Sequence, residues 1–177
     1  ITGSYDTRDH VRYPTSGNQS ELGWMAVPKE WGAPESYYVT EGFSNQYISF
    51  FERQVLALRA YGRFTPSGTP YSGLSTLGRF GDLRGYTAGE NVAENLIALQ
   101  GEYRMMFTEK IGGVAFAGIS QLYNGSLKHT TSDSFYPSGG IGFRYLLNAE
   151  NKMNFRFDYA WGTDDEEGFY VSVGEAF

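Results

Sequence analysis

From Met153 to Trp161 the chain alternates without a break. Met153, Phe155, Phe157, Tyr159 and Trp161 take one parity, and Asn154, Arg156, Asp158 and Ala160 the other. Successive side chains of a β-strand point to opposite faces, so this pattern predicts a strand with one aromatic and one polar face. The same rule reads Gly140–Leu147, with Ile141, Phe143, Tyr145 and Leu147 opposite Gly142 and Arg144. In Asn95–Phe107, Ile97, Leu99, Gly101, Tyr103, Met105 and Phe107 lie opposite Gln100, Glu102 and Arg104. In Phe169–Phe177 the apolar set Phe169, Val171, Val173 and Phe177 is broken once, at Glu175. Weaker alternation marks Ser20–Val27, Tyr37–Phe51, Gln54–Phe64 and Gly113–Tyr123, and Ile1–Thr7 reads as a partial strand.

Composition narrows what such strands can build. The 177 residues include 17% aromatics and 23 glycines, too apolar for a disordered chain. No apolar run approaches the roughly 20 residues of a membrane helix. The net charge of −6, without a basic run, argues against nucleic acid as a partner. There is no cysteine, and His10 and His129 are the only imidazoles, so neither a disulfide framework nor a zinc centre is expected. The chain begins at Ile1 without a leader-like segment, which does not argue against export.

The connections alternate in length. Phe51–Arg53, Thr108–Lys110 and Asn148–Asn151 are short, whereas Pro28–Ser36, Thr65–Glu94, Asn124–Pro137 and Gly162–Gly168 are long and polar. Short turns at one end and long loops at the other form the outer-membrane barrel layout. A soluble β-sandwich would also alternate. Aromatic-rich faces at both strand ends and charged, glycine-rich opposite faces favour lipid outside and a polar lumen inside. The expected fold is all-β: an antiparallel transmembrane β-barrel of about eight strands, in one membrane domain covering residues 1–177. Residues 1–17 would be a partial strand and turn, and residues 65–94 a long extracellular loop. In a closed eight-stranded barrel, Ser20–Val27 would pair with Phe169–Phe177. The filled lumen would then keep Arg84 near the mouth.

Four segments carry a family resemblance. Tyr5–Asp9 with Tyr13–Gly17, Gly78–Tyr86, Gly101–Arg104 and the run ending at Phe177 stand in the order and spacing of the BamA/TamA superfamily, the bacterial surface antigen family. Gly78–Tyr86 resembles its Arg-Gly-aromatic loop motif. The resemblance implies the C-terminal half of a sixteen-stranded barrel, the alternative to eight strands. It also implies a loop folded into the lumen through Arg84, Gly85 and Tyr86, with Arg84 on an acidic strand residue. Where many members carry an Asp on the strand after Glu102, this chain reads Phe116–Ser120, leaving Glu102 as the expected partner. Phe169, Val171, Val173, Gly174 and Phe177 resemble the C-terminal signal for outer-membrane insertion.

The resemblance implies a bacterial outer-membrane, non-enzymatic barrel of the assembly and translocation type, without POTRA domains in these 177 residues. The alternatives are the membrane anchor of a larger protein such as a patatin-like lipase, and a small porin-like or adhesin barrel. Implied partners are outer-membrane lipid, the barrel-assembly machinery during insertion, and an upstream barrel half or a second copy. Glu102, Arg104, Arg144, Arg156 and Asp158 all fall on polar faces and are read as a lumenal ion network. Asp164–Glu167 lacks the spacing of a calcium loop. No lipase elbow, Walker or Rossmann pattern occurs, so no catalytic residue, metal or cofactor is expected.

Overall fold

A computed structural model describes residues 1–78, 82–125, 135–148 and 152–177. The strands are β1 (Thr2–Asp6), β2 (Gly17–Val27), β3 (Tyr37–Phe51), β4 (Gln54–Phe64), β5 (Ser75–Thr76), β6 (Val92–Ala93), β7 (Asn95–Met106), β8 (Ile111–Tyr123), β9 (Phe135–Asn148), β10 (Met153–Trp161) and β11 (Glu167–Val173). Nine form one antiparallel sheet in the order β1-β2-β3-β4-β7-β8-β9-β10-β11, and β5 and β6 pair inside the long loop. Every segment read from alternation contributes a strand, the last one ending at Val173 and not at Phe177, and neighbours in sequence are neighbours in the sheet.

The sheet has two free edges among the described residues, and this corrects the eight-strand closure. β2 is already flanked by β1 and β3, so Ser20–Val27 does not pair with Phe169–Phe177. The partial strand read in residues 1–7 joins the sheet: β1 pairs in register from Thr2↔Gly23 to Asp6↔Gln19. Pairing a ninth strand recovers backbone hydrogen bonds that a detached segment would forfeit.

The sheet curls strongly. Five strand spacings from β4 to β11 measure about 24 Å along the sheet. The four residues after β11 can span at most about 14 Å, yet Phe177 packs against Tyr47, Val55 and Ala57 on β3 and β4. The chain reaches across the concave face because that face closes on itself.

Parity assigns the faces. Phe143, Phe155, Phe157, Tyr159, Phe169 and Val171 point outward in register, and their rings, with that of Trp161, meet tilted or edge-on at centroid separations of 4.7–6.4 Å. Glu102, Arg104, Arg144, Asn154 and Asp158 point inward and are buried. Glycines on β9 make this possible. A Cβ at Gly140 would meet the Phe116 ring, and one at Gly142 the Asp158 carboxylate.

Candidate functional site

The loop between β4 and β7 builds the site. The β5–β6 pairing, Ser75↔Ala93 and Thr76↔Val92, pinches its neck. Beyond the neck, Leu77, Leu83 and Tyr86 pack on Leu96, Ala98 and Leu122 of β7 and β8. That apolar cluster draws the loop tip onto the inward face. Of the Gly78–Tyr86 motif, Arg79, Phe80 and Gly81 lie outside the described residues.

Arg84 bridges two strands. Its Nη2 donates to Glu102 Oε2 at 2.6 Å and its Nη1 to Asp158 Oδ2 at 2.5 Å. Its guanidinium carbon lies 3.5 Å from the centroid of the Phe116 ring. Glu102 and Asp158 are fully buried. Arg104 Nε donates to the other Glu102 oxygen at 2.7 Å, and Arg144 Nη1 to the other Asp158 oxygen at 2.5 Å. Each carboxylate is thus clamped between two cations in charge-assisted hydrogen bonds. Arg156, expected in the same network, reaches Asp158 Oδ2 only at 3.5 Å.

Gly85 has φ +100, and a Cβ there would stand 2.9 Å from the backbone of Trp161. Both facts require glycine. Its N–H donates to the Tyr170 hydroxyl at 2.8 Å. The Tyr86 hydroxyl donates to the carbonyl of Pro137 and accepts from the Thr163 N–H at 3.2 Å. Glu166 accepts from the Thr87 N–H at 2.7 Å and the Asn91 amide at 3.3 Å. The loop tip is therefore sewn to β9, β10 and the β10–β11 connection.

The C-terminal segment departs from the sequence reading. Phe169, Val171 and Val173 face outward as expected, but β11 ends at Val173 and Phe177 is not on that stripe. Gly174, at φ +95, turns the chain inward. Glu175 then pairs with Arg144 at 2.9 Å and Arg104 at 3.7 Å, and accepts from Asn154 Nδ2 at 2.7 Å. The Phe177 carbonyl accepts from Arg104 Nη2 at 2.7 Å. Buried arginines at the short-turn end outcompete continuation of the apolar stripe.

The β1–β2 turn sits at the same end. Asp9 accepts from the N–H groups of Thr15 and Ser16 at 2.8 and 3.1 Å and from the Thr15 hydroxyl at 2.6 Å. Burial opposes the charge on Asp9, but these bonds outweigh it and lower its pKa. Burial, and next the negative Glu175, raise that of Tyr13.

Asp158, Glu175, Asn154, Tyr170 and Glu166 complete what sequence reasoning saw in part. Asp158 was expected in the network but not as the second partner of Arg84. The break at Glu175 was the one signal that the terminal strand stops early. Among the described residues no group of His, Cys, Asp and Glu is arranged to hold a metal ion.

A curled antiparallel sheet, aromatic outside and ion-paired inside, with a long loop folded onto its inner face, defines an outer-membrane β-barrel class. A family model, the Omp85 superfamily domain, matches residues 1–177, and the chain belongs to that family. The family places it in the bacterial outer membrane, among barrels of the assembly and translocation type. No curated protein sequence matches the chain. Among solved structures, BamA from Haemophilus ducreyi lacking POTRA domains 1–3 is similar with a TM-score of 0.73 at 17% identity. The match covers 98% of this chain and 41% of that one.

Proposed function

We propose that these residues form a single non-enzymatic membrane unit, the C-terminal portion of an outer-membrane assembly or translocation barrel. In this unit the loop of residues 65–94 is extracellular in origin and pinned inside the lumen. Arg84, Gly85 and Tyr86 hold it, and Glu102, Arg104, Arg144 and Asp158 form the seat. Its surroundings are outer-membrane lipid and, during insertion, the barrel-assembly machinery, with Phe169, Val171 and Val173 as the terminal signal.

The observation that carries this reading is the double clamp of Arg84 on β7 and β10. A long loop loses much conformational entropy on ordering, and a bidentate pair on two strands offsets that loss at one residue. The two free edges bear on completion of the barrel. Unpaired strand edges are not viable in hydrocarbon. Further strands, from an upstream half or a second copy, would cover β1 and β11.

Cysteine crosslinking in outer membranes tests this, because the chain has no cysteine of its own. Pairs at Gly3, Ser4 or Tyr5 with Phe169, Val171 or Ser172 are expected to give no intrachain disulfide in any register. An efficient intrachain crosslink would show that the nine strands close alone and would overturn the reading.

A further inference from the structure

In the inward-facing ion network the guanidinium groups of Arg84, Arg104, Arg144 and Arg156 share the side-chain carboxylates of Glu102, Asp158 and Glu175, and Arg104 also donates to a main-chain oxygen of the last residue, Phe177. Arg156 has the poorest share. Both Asp158 oxygens are taken by Arg84 and Arg144 at 2.5 Å, and Arg156 Nε and Nη1 are buried without a hydrogen-bond partner. Arg84 Nε is likewise buried and unpartnered, on a side chain only 9% exposed. Buried guanidinium donors left without a hydrogen-bond partner are unfavourable.

Arg84 and Arg156 line the same hollow. It measures 880 Å³ and is bordered also by Gln100, Tyr170, Ser172 and Phe177. The side chain opposite Arg156 on β11 is the small Ser172. Among the described residues no Asp or Glu side chain lines this hollow. It offers two guanidinium groups, an amide and two hydroxyls, a donor-rich set suited to one planar oxyanion.

We propose that the hollow between Arg84 and Arg156 is a binding site for a single carboxylate. Two sources share that chemistry: a solute carboxylate, or an Asp or Glu facing inward from a strand paired to the β11 edge. The proposal rests on reading the concave face as a lumen. Loss of detergent dependence would overturn that reading, whereas the following measurement bears on the site alone.

The protein, labelled with 15N-arginine and extracted from outer membranes into zwitterionic detergent, is titrated with acetate and, separately, with chloride at equal ionic strength. The Nε–Hε resonances of Arg84 and Arg156 are followed, with assignments from Arg84→Lys and Arg156→Lys. With a solute source, both resonances shift saturably with acetate and not with chloride. Arg156→Gln then weakens the Arg84 response at least tenfold, while Arg156→Lys keeps part of it. With a strand source, acetate moves neither resonance. The Arg156 Nε–H then exchanges slowly and shows a contact to a carboxylate other than Glu102, Asp158 or Glu175. Fast exchange with water and no acetate response, or equal responses to acetate and chloride, would overturn the proposal.

Discussion

The two ends of the sheet solve different problems. The C-terminal hairpin, β10–β11, is tied to the rest of the molecule on its inner face. Arg84 meets Asp158, Gly85 meets Tyr170, and Thr87 and Asn91 meet Glu166. Its outer face is a run of aromatic and branched side chains. The N-terminal hairpin, β1–β2, lacks the first property, and its outer face, which carries Tyr5, Leu22 and Trp24, is interrupted by polar side chains. Among the described residues none of the loop's hydrogen bonds reaches β1 or β2. On the outer face of β2 and β3, Asn18, Ser20, Ser44 and Gln46 stand where β10 carries rings. They satisfy one another: Ser20 Oγ donates to Asn18 Oδ1 at 2.7 Å, and Asn18 Nδ2 to Ser44 Oγ at 3.2 Å. Anchorage of the loop is thus concentrated on one side, and the outer face of β2 and β3 carries a polar patch among its aromatic and aliphatic residues. Edge β11 is held from within, and edge β1 only by its neighbour.

The sharpest way to break this asymmetry is to remove its anchor. Arg84→Ala leaves Glu102 and Asp158 buried with one close, hydrogen-bonded cation each, at an expected loss of about 3–5 kcal/mol. Urea unfolding in detergent should show the loss, and limited proteolysis should cut residues 65–94 faster. Arg84→Lys should recover only part, since an ammonium cannot span both carboxylates as a fork. Unchanged unfolding would mean that the loop is held by its apolar cluster alone.

The outer faces should differ next. Phe157→Arg is expected to lose roughly 2–4 kcal/mol if it lies near the bilayer midplane, whereas Ser44→Leu should be neutral or stabilising in the same assay. Equal losses would show that both faces meet the same environment.

Glycine clearance gives a smaller contrast. Gly142→Ala would drive a methyl into Asp158, and overpacking of this kind typically loses about 1–3 kcal/mol. Gly3→Ala on β1 meets nothing within 4 Å and should be silent. The unfolding midpoints of the two variants decide it.

The smallest effect is expected at the β1–β2 turn. Because the Asp9 pKa is lowered on folding, its contribution is present above the ordinary carboxylate pKa near 4. It is lost as pH falls through the lowered folded value. Amide exchange at Thr15 and Ser16, corrected for intrinsic pH dependence, should accelerate in that acidic window. Asp9→Asn should remove most of the acceleration.

The strands were legible because a lipid outside and a polar lumen force period-two alternation, and Met153–Trp161 states that rule without exception. Arg84 and Glu102 were legible through the motif. The pairing of Arg84 with Asp158 was not, since the two stand 74 residues apart and meet only because the sheet curls. Gly142, which clears the space for that carboxylate, looks in sequence like any other strand glycine. Closure was misjudged for the same reason. Alternation counts strands and assigns faces, but it carries no information about which edges meet. The inward turn at Gly174 was visible only as the misplaced Glu175, a charge explained by arginines on β7 and β9.

The loop tip lies inside the lumen while the loop's outer part stays accessible. Single cysteines at Tyr71 and Leu83 place a probe on each part, because Tyr71 is 74% exposed and Leu83 3%. Intact cells are treated with a membrane-impermeant maleimide polymer. Tyr71→Cys is expected to label readily and Leu83→Cys only after denaturation, with Arg84→Ala rendering Leu83→Cys reactive. Rapid labelling of Leu83→Cys in intact cells with Arg84 in place would contradict it.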